Sequence, residues 1–269
     1  MEEISKVVAN IDRDTRRHII SISGGKDSAA LAVYIWQNYP QIHERAEYVF
    51  CDTMVELPET DEYIERLEAL LAIKVVRVNA FELLRVQQKP GRNPFDIYLR
   101  ELYGDYLPSP RSRWCTRKLK IEPFEHFVGE TEAYSYIGIR ADEDRDGYQS
   151  KKPPKFSDKH NIIPVYPFRD DGLGLTDIKR ILEESGLGLP SYYNWRSRSG
   201  CYFCFYQQIG EWQRLKENHP DLFEAAKKYE NKSRGFLWNE GRTLEEVAAL
   251  PPQPLPVLDD TQGCAICHL

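Results

Sequence analysis

The chain has 269 residues, 41% of them hydrophobic and 29% charged, and a net charge of −6. That composition suits a globular protein with a core of its own, and no stretch approaches the roughly 18–20 uninterrupted apolar residues of a membrane span. The negative balance argues against a broad basic surface for bare nucleic acid, and the acidic start MEEISK lacks a signal peptide's apolar region, so a cytoplasmic location without membrane contact is expected.

Apolar runs alternate with helix-period segments: strand 18–23, helix 28–39, strand 46–52, helix 59–72, strand 73–80, a helical stretch near 95–104, a helix near 116–129 and strand 133–139. Such alternation predicts an α/β fold with a doubly wound, mainly parallel sheet, covered on both faces and binding ligands at the carboxyl ends of its strands. Residues 141–160, charged and Pro-containing, read as a surface loop that is either a lid or a disordered insertion. Beyond it lie IIPVYPF, a helix 176–185, a cysteine pair and amphipathic helices near 207–218 and 221–231. The segment LPPQPLPVLDD resists helix and sheet and reads as a tether for the terminal GCAICHL. The expected division is a nucleotide-binding α/β core over 1–170, a helical cysteine-bearing part over 171–250 and a tail over 251–269.

The first strand ends in Ser23-Gly24-Gly25-Lys26-Asp27-Ser28, just ahead of an apolar helix. Two residues without Cβ, two hydroxyls, a lysine and a carboxylate at a helix N-terminus suit a phosphate cradle, because exposed N–H groups there attract anions. The spacing is not that of the Walker loop, Gly-x-x-x-x-Gly-Lys-Ser/Thr. Asp52 and Thr53 follow the second strand and Arg140 follows strand 133–139, so all three fall at carboxyl ends.

Six cysteines in a cytoplasmic protein read as thiols or metal ligands rather than disulfides. Cys201 and Cys204 form a C-x-x-C, and 85 residues lie between Cys115 and Cys201. Cys51, in a predicted buried strand, reads as a small core residue. Arg111, Arg113, Arg117, Lys118 and Lys120 crowd the first cysteine, and Arg196 and Arg198 precede the pair; both groups are either solvated surface or an anion site.

SGGKDS is the signature of the PP-loop ATP pyrophosphatases, and further stretches narrow the family. VFCDTMVELPET, RWCTRKLKIEPF, YIGIRADEDR, PVYPF and GCYFC resemble, in order and approximate spacing, the phosphoadenosine-phosphosulfate (PAPS) reductase family over residues 18–210. RWCTRKLKIEP and DTMVELP look most similar to the ATP pyrophosphatases of DNA phosphorothioation, of the DndC and SspD type. The resemblance implies an adenine nucleotide α-hydrolase-like PP-loop fold. It also implies a nucleotide site of Ser23, Gly24, Gly25, Asp27 and Ser28, with Asp52 and Thr53 near the adenosine and Gly138 and Arg140 near the phosphates. Asp27 would help organise Mg²⁺ around a leaving pyrophosphate, and Lys26 would meet a phosphate or point to solvent.

By the same resemblance the cofactors are ATP, Mg²⁺ and an iron–sulfur cluster, [4Fe–4S] in type, on Cys115, Cys201 and Cys204. Trp114 stands where iron–sulfur reductases of the family carry the first cysteine of a pair, which leaves three alternatives. One iron is open for sulfide or substrate, Cys264 or Cys267 returns as fourth ligand, or the site holds zinc or nothing. Cys264 and Cys267, beside His268, read either as catalytic sulfur-carrying thiols or as a frayed terminus. The implied activity is adenylation of an acceptor for sulfur transfer in DNA phosphorothioation. Its partners would be a cysteine desulfurase and other phosphorothioation proteins, with DNA reached through a complex; a homo-oligomer stays open. The alternatives are a thioredoxin-dependent PAPS or APS reductase and an idle nucleotide-sensing subunit.

Overall fold

The computed structural model describes residues 2–84, 91–143 and 161–254. Five strands, β1 (Arg17–Ile22), β2 (Ala46–Cys51), β3 (Val75–Val78), β4 (Ala133–Tyr136) and β5 (Ile162–Val165), form one sheet in the order β3-β2-β1-β4-β5. Every neighbouring pair is parallel, and Ile20 in the central strand is flanked by Tyr48 of β2 and Tyr136 of β4.

Successive side chains of a strand point to opposite faces, and here both faces are apolar. Ile20, Ile22, Tyr48, Phe50, Tyr134 and Tyr136 share one core with the helices Ile4–Asn10, Lys26–Asn38, Pro58–Leu71 and Leu175–Glu184. Ile19, Val49, Cys51 and Ala133 turn the other way, onto Ile121, Phe124 and Val128. Burial on both faces explains why β1 reads as an almost continuous apolar run. The doubly wound α/β fold is therefore present, with a sheet that is wholly parallel among the described residues.

A third core is aromatic and lies beyond the sheet. Phe95, Trp114, Phe203, Tyr229 and Trp238 pack there with the helices Ile209–Asn218, Pro220–Lys227 and Leu244–Ala248. Phe203 stacks on Trp238 with ring centroids 5.1 Å apart.

Several boundaries differ from the pattern-based expectation. The first long helix starts at Lys26 rather than 28, so Lys26 and Asp27 sit in its first turn. The helix expected near 116–129 starts at Trp114 and passes through a π-helical turn, Arg117–Ile121, before continuing as Glu122–Val128. β4 ends at Tyr136, leaving Ile137–Arg140 free to descend toward the helix start. The fifth strand was hidden by Pro164, which an edge position tolerates. The helix Ile4–Asn10 was also unforeseen; it buries Ile4 and Val7, and Asp170 accepts the Ile4 N–H at 3.0 Å. Among the described residues no helix is long and apolar enough to cross a membrane.

Candidate functional site

β1 and β4 are neighbours, yet the chain leaves β1 toward β2 on one side and leaves β4 toward β5 on the other. Such a reversal opens a crevice at the carboxyl ends of the two strands. Ser23–Ser28 occupies the end of β1, and Ile137–Arg140 the end of β4.

The turn is built by its own hydroxyls. Ser28 Oγ donates to the Gly25 carbonyl (3.1 Å) and accepts the Ser23 N–H (3.0 Å), which leaves the Ser23 hydroxyl to donate to Ser28 (3.0 Å). Ser23 Oγ in turn accepts the Gly25 N–H at 3.3 Å. Gly24 adopts φ +71°, a left-handed conformation that favours glycine, and a Cβ there would lie 2.3 Å from Thr60 Cγ2. Tyr192, far along the chain, donates its buried hydroxyl to the Gly24 carbonyl at 2.7 Å.

Charge around the turn is paired. Lys26 is 1% exposed, so it does not point to solvent; Nζ donates to Asp27 Oδ2 at 2.8 Å and lies 5.7 Å from the Tyr193 ring centroid. Asp27 Oδ1 accepts from Arg140 at 3.0 Å, and buried Arg140 also meets Asp142 and Glu143 at 2.9 Å each. These carboxylates hold the guanidinium protonated well beyond its ordinary range. Asp142 further accepts the Leu175 N–H at 2.8 Å, which ties this end to the helix Leu175–Glu184. At Gly138 the two chain segments touch: a Cβ there would stand 2.9 Å from the Asp27 carbonyl oxygen.

After β2, Asp52 accepts the Met54 N–H at 2.7 Å and lies 3.7 Å from Arg77. Buried Thr53 donates to Glu56 Oε1 at 2.8 Å, and its hydroxyl is 3.4 Å from Cys201 Sγ. That contact joins the carboxyl end of β2 to the cysteines.

Cys115, Cys201 and Cys204 line one cavity of about 60 Å³, together with Thr53, Lys120 and Arg198. Burial, with Cys204 close by, pushes the Cys115 thiol up to about 12; burial and the nearby Glu56 raise Cys201 well above the ordinary range. Arg113 and Arg198, also in the lining, lie 5.8 and 4.9 Å from the Tyr206 ring centroid. Soft thiolate donors in a cationic setting fit an iron–sulfur cluster in kind. Among the described residues no three His, Cys, Asp or Glu side chains stand close enough to enclose one metal ion. A single tetrahedral zinc would need sulfurs about 3.8 Å apart, whereas a multi-iron cluster takes its thiolates on different irons.

Trp114 does not face this cavity. Its ring is buried between Tyr103 (centroids 4.3 Å apart) and Phe95 (5.2 Å), and its Nε1 donates to the Tyr106 carbonyl. Cys51 is a core residue of β2, with its thiol on the Lys120 carbonyl. Cys264, Cys267 and most of the suggested lid over 141–160 lie outside the described residues.

Sequence reasoning did not foresee Tyr192, Glu56 or the Thr53–Cys201 contact, and it grouped Arg196 with Arg198 although only Arg198 lines the cavity. The single available signal was the Arg196-x-Arg198 doublet before the C-x-x-C.

A parallel sheet with a glycine turn at the end of its central strand, beside a strand-order reversal, defines a doubly wound α/β protein. Within that class the chain belongs to the phosphoadenosine phosphosulfate reductase domain family, whose sequence profile matches residues 17–214. The phosphoadenylyl-sulfate (PAPS) reductase of Candida auris, solved as a phosphate complex, has a similar fold. It is 13% identical with a TM-score of 0.51, over 74% of this chain and 88% of that one. Two uncharacterized proteins of Methanocaldococcus jannaschii are also similar. One is 26% identical over 81% of this chain and 42% of its own length; the other is 23% identical over 76% and 45%. The chain thus spans under half the length of these curated relatives.

Proposed function

We propose that the chain is an ATP pyrophosphatase of sulfur transfer. The observation that carries this reading is the self-braced glycine turn with Lys26, Asp27 and Arg140 converging on it at the mouth of the β1/β4 crevice. A triphosphate bound there would meet N–H donors of the helix start and two fixed cations, while Asp27 would help to hold Mg²⁺ on the leaving group. An acceptor oxygen bonds to the α-phosphorus as the bond to the pyrophosphate bridging oxygen breaks. A sulfur nucleophile then displaces AMP from the adenylated acceptor.

Cys115, Cys201 and Cys204 would hold an iron–sulfur cluster, which when bound supplies iron able to bind sulfide. The acceptor proposed is the DNA backbone, reached in a complex with a cysteine desulfurase and other phosphorothioation proteins, because a net charge of −6 disfavours solitary capture of DNA.

The test offers purified protein ATP, PAPS and APS in parallel, with and without DNA, and measures pyrophosphate and sulfite. Mg²⁺-dependent pyrophosphate from ATP is the expected result, with no thioredoxin-dependent sulfite. Sulfite from PAPS or APS at about 1 s⁻¹ or faster would overturn the reading and make the chain a sulfonucleotide reductase.

A further inference from the structure

Arg196 is 1% exposed. Its Nη1 donates to the Gly200 carbonyl at 3.1 Å and its Nη2 to the Cys201 carbonyl at 2.8 Å, while Nε is buried with no partner among the described residues. No described carboxylate oxygen lies within 4 Å of it. Glu211 is sequence-near and fully buried, but its oxygens accept from the Ser197 N–H, the Ser197 hydroxyl and the Gln208 N–H. Neutral carbonyls satisfy hydrogen-bond donors and bring no opposite charge, and a charge taken out of water is costly unless one is near. Arginine cannot relieve that cost by losing its proton.

The two carbonyls that Arg196 grips belong to the entry of the C-x-x-C. The Cys201 carbonyl also accepts the Cys204 N–H at 3.1 Å, so the guanidinium fixes the turn that presents both thiols.

We infer that Arg196 is a buried counter-charge behind the cysteine cavity, additional to Lys120 in its lining: it clamps the Gly200 and Cys201 carbonyls and offsets the negative charge that Cys115, Cys201 and Cys204 would carry as metal-bound thiolates. Arg196 is a positioning residue, distinct from Arg113 and Arg198 in the lining. The inference rests on reading the three cysteines as metal ligands, and it is independent of which nucleotide the glycine turn takes.

The test reconstitutes the full chain anaerobically with ferrous iron and sulfide and measures iron per chain and the midpoint potential. Removing a nearby positive charge favours the oxidised cluster. Arg196→Gln should therefore be about tenfold harder to reduce, a fall of about 59 mV for one electron. Arg196→Lys, which keeps the charge without the fork, should stay close to wild type. An unchanged potential in a folded Arg196→Gln protein overturns the inference, as do equal shifts in both variants, which would assign Arg196 to backbone support alone. Should Arg196→Gln fail to fold by circular dichroism, Arg196→Lys decides: a wild-type potential supports the charge, and a tenfold fall overturns it. Failure of the wild type to take up iron also overturns the inference, while the pyrophosphate assay still judges the nucleotide reading separately.

Discussion

Around the glycine turn both cations rest on carboxylates, Lys26 on Asp27 and Arg140 on Asp27, Asp142 and Glu143, whereas Arg113 and Arg196 beside the cysteines have no described carboxylate within 4 Å. The two ends nevertheless meet, through the Thr53 hydroxyl and Cys201 Sγ. The difference concerns what each end asks of an anion. At the turn an incoming phosphate must share or displace existing partners, so binding exchanges ion pairs and its net gain is small. At the cysteines the buried guanidinium of Arg196 rests on two carbonyls, so a nearby anion would bring it an opposite charge without displacing a carboxylate within 4 Å among the described residues.

The sharpest way to break this contrast is to give the cysteine end a fourth thiol. Trp114→Cys removes a ring stacked between Tyr103 and Phe95 and should cost about 3–5 kcal/mol in urea denaturation. Iron per chain should not rise, because that position faces the aromatic core; a rise would show that the helix start can turn toward the cavity. At the other end, Asp27→Asn removes the carboxylate shared by Lys26 and Arg140. The partly exposed pair should lose about 2 kcal/mol, less than a fully buried one, and pyrophosphate release from ATP should fall with it. A loss within about 0.5 kcal/mol, as at ordinary surface sites, would mean that the paired charges at the turn are idle.

The smallest expected effect lies in β1 itself, where charge is refused rather than paired. His18 is buried, its Nδ1 meets the Tyr136 hydroxyl at 2.7 Å, and its Nε2 has no partner among the described residues. Burial pushes its pKa below the usual 6.5. Above that value both folded and unfolded chains hold it neutral and nothing is lost; as pH falls below about 6.5 the unfolded chain alone takes the proton, and stability drains until the lower folded value is passed. Denaturation at about pH 8 and about pH 5 should show a loss in wild type that shrinks in His18→Gln. Equal losses in the two proteins would clear His18 of the effect.

The glycine turn was legible where its contacts are local: the Ser23 and Ser28 hydroxyls that brace it lie within six consecutive residues, between an apolar run and a helix, whereas Tyr192 and Arg140 reach it from far along the chain. The sheet was legible where strands are apolar on both faces, as in β1 and β2, and not at β5, where a proline sits in a four-residue strand. The cysteine end draws on Thr53, on Arg113–Lys120 and on Arg198–Tyr206, and no local pattern states that these segments meet. Arg196 and Arg198 look alike in sequence; only packing buries the first and leaves the second in the cavity lining. Likewise, nothing in RWCT tells that Cys115 lines the cavity and Trp114 does not.

The π-helical turn at Arg117–Ile121 carries that last distinction further. An α-helix advances about 100° per residue, and a π turn accommodates one residue more than an α turn, so the residues ahead of it are set back by about that angle relative to those behind it. Ahead of it stands Cys115, on the cavity; behind it stand Phe124 and Val128, on the sheet. A deletion of one residue anywhere between 117 and 121 would leave a smoother helix and an intact cysteine, aimed about 100° away from its partners. The length of that five-residue interval therefore decides where the Cys115 thiol points as directly as the choice of residue at 115 decides that there is a thiol.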